Sequence, residues 1–213
     1  MQIKQIAHKF KRNPSPRRVT NEIVIHHSGG HDASASTIHQ WHLDREWIGI
    51  GYHFVIRYDG SIETGRPIDT QGAHAGATAN NRSIGICVLG NFDNIHPKKE
   101  QIDSLVWLIS EHIFGIYGKL KISGHKDHMS TSCPGNNFPM DVIKKLILER
   151  MVVEMVSKYF KDIRHEWQAT HVDSLREKGI VSGRTADTYD PDSPVTRAEL
   201  AVVVNKAIEY LSK

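Results

Sequence analysis

One loop of the sequence combines a histidine and a cysteine that could bind a metal ion. The segment GHKDHMSTSCPG, residues 124–135, places His125 and Cys133 among glycine and proline residues. Upstream, the segment IVIHHSGG, residues 23–30, adds His26 or His27. Two histidines and one cysteine would give Zn²⁺ three ligands and leave its fourth tetrahedral position for water, as in catalytic zinc sites. This pattern favours a metal-dependent hydrolase.

The two adjacent histidines cannot both reach one metal ion. Successive side chains of a β-strand point to opposite faces, so His26 and His27 lie on opposite faces of the predicted strand, and the spacing does not decide between them. The same alternation separates Tyr52 from His53 in the segment GYHF. Of the fourteen histidines, several in helix-like or peripheral segments are expected to be ordinary surface or core residues: His8, His39, His42, His96, His112, His165 and His171.

Predicted strands would position these residues. EIVIHHS (22–28) and SIGICVLGNF (83–92) predict buried strands, and LKISGH (120–125) predicts a short one. The β-rich runs on either side of Asp59-Gly60 predict a hairpin, because Asp-Gly is a strong signal for a tight turn. The strands alternate with segments of helical character, so the first part of the chain predicts an α/β fold with a mixed central β-sheet flanked by helices.

Helices are predicted for three segments between these strands and after them. Residues 34–47 predict a helix with Ser34 or Ser36 as its N-cap. Residues 98–118 predict another, because their apolar side chains recur at helical spacing. Residues 140–160 predict a long helix that continues into the next unit without a Gly/Ser or Pro linker. We place the domain boundary there, with a first domain at residues 1–150 and a second at 151–213.

Charge and hydropathy exclude several classes of function. The net charge of +3 is too small to argue for a nucleic-acid partner. Residues 1–18 are basic and contain no acid, which predicts a solvated arm or, alternatively, a contact with an anionic surface. No run approaches the ~18 apolar residues of a membrane span, and the N-terminus lacks the apolar core of a signal peptide. We therefore expect no membrane partner, and a protein that stays in the cytoplasm or leaves without a cleaved signal.

The two cysteines leave one alternative to the metal site open. Cys87 lies in an apolar run, where a cysteine is usually a small buried hydrophobic residue. Cys133 lies in a polar loop, where a thiolate ligand fits. A disulfide between Cys87 and Cys133 is the competing interpretation, and it would exclude the zinc site.

Six short motifs follow one another between about residues 20 and 140: IVIHHS, GIGYHFVIRYDGSIETGRP, GAHAG, SIGICVLGNF, GHKD and TSCPG. In this order they resemble the zinc amidases of the phage-lysozyme and peptidoglycan-recognition-protein superfamily. The resemblance implies a fold like that of the peptidoglycan-recognition proteins. It also implies N-acetylmuramoyl-L-alanine amidase activity, the hydrolysis of the amide between muramic acid and the first L-alanine of the stem peptide.

The resemblance also implies roles for particular residues. By position in the motifs, the ligands of one Zn²⁺ per chain would be His26, His125 and Cys133. Tyr52 would lie beside the metal, where its hydroxyl could stabilise the oxyanion formed when the amide carbonyl is attacked. Thr131, two residues before the cysteine, stands where the family has a lysine or a threonine, and threonine resembles the catalytic recognition proteins.

The remaining site assignments rest on loop residues between the motifs. The leaving amine needs a proton, and His74 of GAHAG is the candidate donor, with a place in the substrate groove as the alternative. Trp47, Asn80 and Arg82 are candidate substrate-binding residues, Arg82 because its guanidinium matches the carboxylates of stem peptides. An ordinary surface or core role is the alternative for each of the three.

Residues 160–201 resemble an S-layer homology motif, with VTRAELA as its most specific segment. They predict a small all-α unit, with helices in residues 165–179 and 195–211, that binds a secondary polymer of a Gram-positive cell wall. The resemblance makes Arg197 and Trp167 the candidate polymer contacts, although a core role is the favoured expectation for Trp167. Gln168 departs from the usual alanine, and one copy is present where three are common, so one copy works alone or copies from several chains form a homo-oligomer.

Together these features predict a peptidoglycan hydrolase of the endolysin type, from a phage or prophage. It would wait in the host cytoplasm until lysis and then act on the cell wall. A non-catalytic peptidoglycan-binding protein on the same fold is the alternative, and the predicted cysteine ligand argues against it. A zinc amidase of cytoplasmic wall-recycling fragments is a third interpretation, which the wall-binding segment disfavours because a soluble fragment needs no anchor.

Overall fold

The computed structural model describes residues 1–153 and 157–212, and the chain divides into two compact units, Met1–Ile147 and Leu148–Lys213. Within the described part of the first unit, one six-stranded sheet has the order β1-β4-β3-β5-β2-β6. Its strands are β1 (Ile3–Lys4), β2 (Glu22–His27), β3 (Phe54–Ile56), β4 (Ile62–Thr64), β5 (Ser83–Val88) and β6 (Lys121–Gly124).

The sheet is mixed, as the sequence predicts. β2 lies between β5 and β6 and is parallel to both, and β3 is parallel to β5. β3 and β4 form the antiparallel hairpin around Asp59-Gly60, where Gly60 has a φ of +79° that glycine adopts without strain. In register, His26 lies opposite Cys87 and Cys87 lies opposite Val55, so these three residues share one face of the sheet.

Helices and helical turns connect the strands. They are α1 (Ala35–Asp44), α2 (Gly76–Asn80), α3 (Lys99–Trp107), α4 (Phe114–Tyr117) and α5 (Met140–Val153). Leu108–Ile113 forms a π-helical segment between α3 and α4, and His125–Asp127 forms a 3-10 turn directly after β6. Ser34, one of the two predicted N-caps, is the N-cap of α1, because its hydroxyl accepts a hydrogen bond from the Thr37 amide.

The buried face that carries His26 packs against α1 and the segments around it. Its cluster includes Ile38 of α1, Ile50, Val55 and Leu89, which are at most 3% exposed. The alternate residues of β2 and β5 point to the other face and are equally buried: Ile23, Ile25, Ile84 and Ile86. Because both faces of the sheet are covered, β2 and β5 carry apolar residues on both faces instead of alternating with polar ones.

The basic N-terminal segment is not a solvated arm throughout. Ile3 and Lys4 pair with β4, and Arg17 is only 9% exposed. The Arg17 guanidinium donates to the carbonyl oxygens of Ile68 and Thr70. The expectation of a wholly solvated arm is therefore wrong, because a guanidinium that finds backbone acceptors can be buried without an acidic partner.

The second unit is all-α, as predicted, with helices α6 (Glu166–Glu177) and α7 (Arg197–Leu211). Its core contains Phe160, Ile163, Ala169 and Val172. The Asp162 carboxylate accepts hydrogen bonds from the amides of Tyr189 and Asp190, which ties the loop between the helices to the start of the unit.

The helix predicted for residues 140–160 is shorter than expected. α5 extends to Val153, residues 154–156 of the prediction lie outside the described residues, and residues 157–159 are not helical. The Ser157 hydroxyl accepts hydrogen bonds from the amides of Tyr159 and Phe160, a local turn that competes with helix formation. Among the described residues, no helix has the length and apolar character needed to cross a membrane.

Candidate metal centre

His26, His125 and Cys133 come together at one end of the sheet, with one ligand atom from each lying within 4.8 Å of the other two. His26 lies near the end of β2, and His125 directly follows β6. Since β2 and β6 are parallel neighbours, their carboxyl ends meet at the same edge of the sheet, and the two histidines meet with them. The loop with Cys133 is joined to this edge by a hydrogen bond from the Lys126 amide to the Cys133 carbonyl oxygen, 2.8 Å.

The donor atoms of the three residues suit a metal ion. Nδ1 of His26 lies 3.8 Å from Sγ of Cys133, and the rings of His26 and His125 are 4.6 Å apart between centroids. Nε2 of His125 is buried and has no hydrogen-bond partner among the described residues. A buried imidazole nitrogen without a partner is costly unless it binds a ligand, and two imidazoles with one thiol are a donor set that zinc prefers. The residues therefore fit Zn²⁺.

Burial sets the charge of the donor groups. Desolvation lowers the pKa of His26 and His125, so both imidazoles are neutral at neutral pH and keep a lone pair for a metal. Burial also raises the pKa of the Cys133 thiol to about 11, although the amide of His27 donates to its sulfur at 3.3 Å and opposes that rise. A bound cation would favour the thiolate.

The loop around Cys133 is held by contacts with the segment after β5. The Asp93 carboxylate accepts hydrogen bonds from the Asn136 amide and the Ser132 hydroxyl. Gly135, at a φ of +107°, lies against the Phe92 backbone so closely that an added Cβ would be 2.5 Å from its carbonyl carbon. Thr131 is exposed, and its hydroxyl accepts from the Cys133 amide at 3.2 Å. The loop geometry thus sets the position of the sulfur.

Tyr52 and His53 point in opposite directions, as strand alternation predicts. The Tyr52 ring lies 5.2 Å from the His26 ring, and its hydroxyl lies beside the Cys87 thiol. Burial raises the pKa of Tyr52 well above its ordinary value, which keeps the hydroxyl protonated and able to donate. His53 instead accepts from the Gly85 amide and contacts Arg17.

His74 and Asn80 form a unit beneath the cluster. Nδ1 of His74 lies 3.0 Å from Nε2 of His26. The Asn80 side-chain oxygen accepts hydrogen bonds from the amides of His74 and Ala75 at 2.8 and 2.9 Å. Asn80, predicted as a substrate contact, therefore holds the backbone that carries His74.

A half-exposed aromatic side chain lies at the rim of the cluster. Trp47 is 41% exposed and lies 4.6 Å from the ring of His42, which in turn lies 5.8 Å from Tyr52. His42 was assigned to the surface or core from the sequence, and the structure places it beside Tyr52. Its Nδ1 accepts from the Gly51 amide, and burial lowers its pKa to about 4. The helical period of α1, which puts Ile38 and His42 on one buried face, is the signal that could have found it.

Arg82 is not brought to the cluster. It lies just before β5, and its Nε pairs with the Glu22 carboxylate at 3.1 Å at the start of β2. The paired residues His26 and Cys87 lie four residues beyond the first pair of these parallel strands, Glu22 and Ser83. The substrate-binding assignment of Arg82 is not supported here, because its guanidinium already has a carboxylate partner at the other end of the strands.

The two candidate polymer contacts of the second unit are both on its surface. Trp167 is 67% exposed, so the favoured expectation of a core role is wrong; Ala169 and Val172 are the α6 residues in the core. Arg197 begins α7 and borders a shallow cavity of about 420 Å³ with Leu200 and Val204.

The disulfide alternative is also wrong, since Cys87 and Cys133 are both free thiols. Cys87 is fully buried in the cluster that packs on α1, as expected for a small hydrophobic residue, and burial raises the pKa of its thiol. The sulfur of Cys133 faces His26 instead, and it remains available as a ligand.

Comparison with known proteins identifies relatives of both units. Residues 15–136 match the family described as N-acetylmuramoyl-L-alanine amidase, and residues 159–201 match the S-layer homology domain. The endolysin of Enterobacteria phage K11 is 34% identical over 128 residues, which are 55% of this chain and 82% of that protein. Peptidoglycan-recognition protein SC2 of Drosophila melanogaster is 35% identical over 125 residues, 54% of this chain and 67% of that protein.

Solved structures give the same result. The N-acetylmuramoyl-L-alanine amidase LysC from Clostridium intestinale URNW superimposes with a TM-score of 0.65 at 37% identity, covering 68% of this chain and 96% of that one. Wild-type Drosophila PGRP-LB superimposes with a TM-score of 0.57 at 30% identity, covering 67% and 92%. The expected fold is thereby confirmed. With more than half of its residues matched to the amidase family, the chain belongs to the N-acetylmuramoyl-L-alanine amidases and carries an S-layer homology domain behind the amidase segment.

Proposed function

We propose that this protein is a peptidoglycan hydrolase of the endolysin type that uses zinc to cleave the amide between N-acetylmuramic acid and the L-alanine of the stem peptide. The observation that carries the proposal is the convergence of His26, His125 and Cys133 in a chain of the amidase family. Membership in that family supports the reaction, and the donor set supports one Zn²⁺ per chain.

The residues around the cluster have separate tasks in this proposal. His26, His125 and Cys133 would hold the ion, which when bound supplies a water acidic enough to act as a nucleophile at neutral pH. The Tyr52 hydroxyl, kept protonated by burial, would donate a hydrogen bond to the carbonyl oxygen as negative charge develops on it. Thr131 keeps the Cys133 amide satisfied.

The rim of the cluster supports substrate binding by residues of α1 and the turn after it. Trp47 offers a half-exposed aromatic face, which suits packing against a sugar or a stem peptide. Next to it, Nδ1 of His42 accepts from the Gly51 amide, so the proton of the neutral ring is on Nε2 and available to a substrate oxygen. The sequence predicts His74 as the donor of the proton that the leaving amine requires. The buried position of the His74 side chain supports a different role.

We further propose that residues 1–150 are the catalytic domain and residues 151–213 the wall-binding domain. Peptidoglycan would be bound by the first and a Gram-positive secondary cell-wall polymer by the second, with the exposed Trp167 and Arg197 as contacts. Attachment to the wall raises the effective concentration of the enzyme at an insoluble substrate. As for other endolysins, the protein would stay in the host cytoplasm until lysis and then act on the wall.

The surface of α7 supports self-association of the second unit. No described residue of this helix is buried, although Leu200, Val204 and Ile208 recur on one face at helical spacing. Val202 and Val203 border a different cavity, whose lining includes Ile180, Val181 and Tyr189 of the same unit. An exposed apolar face of this kind fits a contact between copies of the chain.

Sedimentation of the full chain tests this contact. Leu200→Lys is expected to convert an oligomer to a monomer, whereas Glu209→Gln on the same helix leaves it unchanged. A monomeric wild-type chain at micromolar concentration, or an oligomer that Leu200→Lys leaves intact, would contradict self-association through this face of α7.

A binding protein without catalysis is the second candidate function, because peptidoglycan-recognition proteins are among the relatives. Zinc content and clearing of Gram-positive cell walls separate the two functions. We expect one zinc per chain, loss of turbidity and release of new L-alanine amino termini. Cys133→Ser should abolish all three, and Cys87→Ala, which removes the other buried thiol, should keep the zinc. Walls that are bound by a zinc-free protein and not cleared would support the binding function instead.

A further inference from the structure

The hydrogen bond between His26 and His74 has a consequence for how the cluster binds its ion. We infer that His74 is a positioning residue, which fixes the tautomer and ring orientation of His26 and so directs Nδ1 of His26 at the metal. This inference rests on the zinc site proposed above. It differs from a role for His74 as proton donor to the leaving amine.

The two nitrogens of His26 have distinct neighbours. Nδ1 lies 3.8 Å from Sγ of Cys133, on the side of the ligand cluster, while Nε2 lies 3.0 Å from Nδ1 of His74. A neutral imidazole has one N–H and one lone pair. If Nδ1 of His26 binds the ion through its lone pair, the proton must be on Nε2, and Nε2–H donates to Nδ1 of His74. Ligating histidines ordinarily need such an acceptor, which also fixes the ring.

The position of the His74 ring is enforced by its surroundings. Two glycines face the ring, and a Cβ added at Gly72 would lie 2.3 Å from its Cδ2, and one added at Gly85 would lie 2.5 Å from the same atom. The backbone of His74 is held by Asn80, whose side-chain oxygen accepts from its amide. The absence of a side chain at Gly72 and Gly85 thus forms a slot that holds the His74 ring with its Nδ1 next to Nε2 of His26.

The other nitrogen of His74 does not face the substrate side. Nε2 of His74 is buried and has no hydrogen-bond partner among the described residues, and a Cβ at Gly72 or Gly85 would lie 2.4 or 2.7 Å from it. A proton donor must reach the leaving amine directly or through one water. The nitrogen of His74 that carries the proton is turned toward the sheet and its flanking glycines, so the geometry favours holding His26 over donating to substrate.

Two substitutions separate the acceptor from the ring. His74→Asn keeps a side-chain acceptor near the place of Nδ1, and His74→Ala removes it. Zinc affinity, measured by competition with a chromophoric chelator, is expected to fall about 10- to 100-fold in His74→Ala and to recover for the most part in His74→Asn. Urea unfolding of the metal-free proteins gives the folded fraction of each variant. If less than nine-tenths of one variant is folded, only the zinc affinity of the other variant is compared with the wild type.

A spectroscopic measurement gives a second readout. In the zinc-loaded wild type, the ¹⁵N signals of His26 are expected to show a protonated Nε2 and a metal-bound Nδ1. In His74→Ala we expect the Nε2 proton to exchange faster with water. Zinc affinity that is unchanged in both variants, together with a loss of turnover in both, would overturn the inference and restore the proton-donor role. Wild-type protein that binds no zinc would instead overturn the proposed function.

Discussion

Gly85→Ala tests whether the slot for His74 governs metal binding. Gly85 lies in the middle of β5, and its φ is negative, so alanine costs nothing in backbone strain. The new Cβ would lie 2.5 Å from Cδ2 of His74, 2.7 Å from Cγ and 2.7 Å from Nε2. The three nearest atoms all belong to one buried ring, so the substitution acts first on His74.

The size of the effect follows from these distances. Ordinary contacts begin near 3.4 Å, so the ring must move by about 0.9 Å. A movement of that size along the bond would lengthen the 3.0 Å contact between His74 and His26 beyond hydrogen-bond range. Overpacking of a buried site costs about 1–3 kcal/mol. With a urea m-value of about 1–3 kcal/mol per molar, a loss of about 2 kcal/mol lowers the unfolding midpoint by about 1 M.

The assay is urea unfolding of the metal-free protein, followed by zinc titration of the folded protein. Gly115→Ala is the matched control, because nothing lies within 4 Å of a Cβ added there. In a helix this change is expected to raise stability slightly, by about 0.5–1 kcal/mol. A Gly85→Ala protein with the unfolding midpoint and zinc affinity of the wild type would refute both the packing argument and the role of the slot.

Three further predictions concern carboxylates that accept hydrogen bonds within the first or the second unit. Hydrogen bonds to the Glu22 carboxylate outweigh the desolvation that would raise its pKa, so the net pKa is lowered. The stability that the ionised carboxylate contributes to the fold is present at neutral pH and is lost as pH falls below about 4.5. Glu22→Gln should therefore lower the urea midpoint at pH 7 and have little effect at pH 3. Asp93→Ala removes the acceptor of the Asn136 amide in the loop with Cys133, and we expect zinc affinity to fall while the unfolding midpoint changes by less than about 1 M, as measured by chelator competition. Asp162→Ala removes the acceptor of two amides of the second unit, each hydrogen bond being worth about 1.5–3 kcal/mol. It should weaken binding to purified walls, leaving the contribution of the first domain, while zinc binding is retained; an unchanged pull-down would contradict this.

Strand alternation and turn chemistry were enough to predict much of the first unit. The alternation placed His26 and His27, and Tyr52 and His53, on opposite faces, as the structure has them. Asp59-Gly60 predicted the hairpin because few other pairs adopt that turn easily. These are local rules, which a sequence displays directly.

The contacts that the sequence did not predict depend on distant segments. Arg82 and Glu22 are paired because β5 lies beside β2, and no periodicity within either segment indicates that neighbour. The sequence of α1 does not distinguish His42 from the other polar residues of the helix, because its place beside Tyr52 depends on how α1 packs on a distant segment. Likewise, charge in the N-terminal segment did not indicate that Arg17 finds backbone acceptors near Thr70.

The interior position of β2, between β5 and the edge strand β6, also constrains how the first unit can form. Glu22 pairs with Ser83 on one side and with Lys121 on the other, so this early strand has no partner until much later parts of the chain are made. Non-local pairing of this kind slows folding and leaves apolar strands exposed for longer. A nascent or truncated chain that stops before Lys121 would leave the β6 edge of this Ile- and Val-rich strand unpaired, and one that stops before Ser83 would leave both edges unpaired. A truncated chain that isolates the first unit should therefore retain β6 and the buried Ile147 of α5, and shorter chains are expected to aggregate.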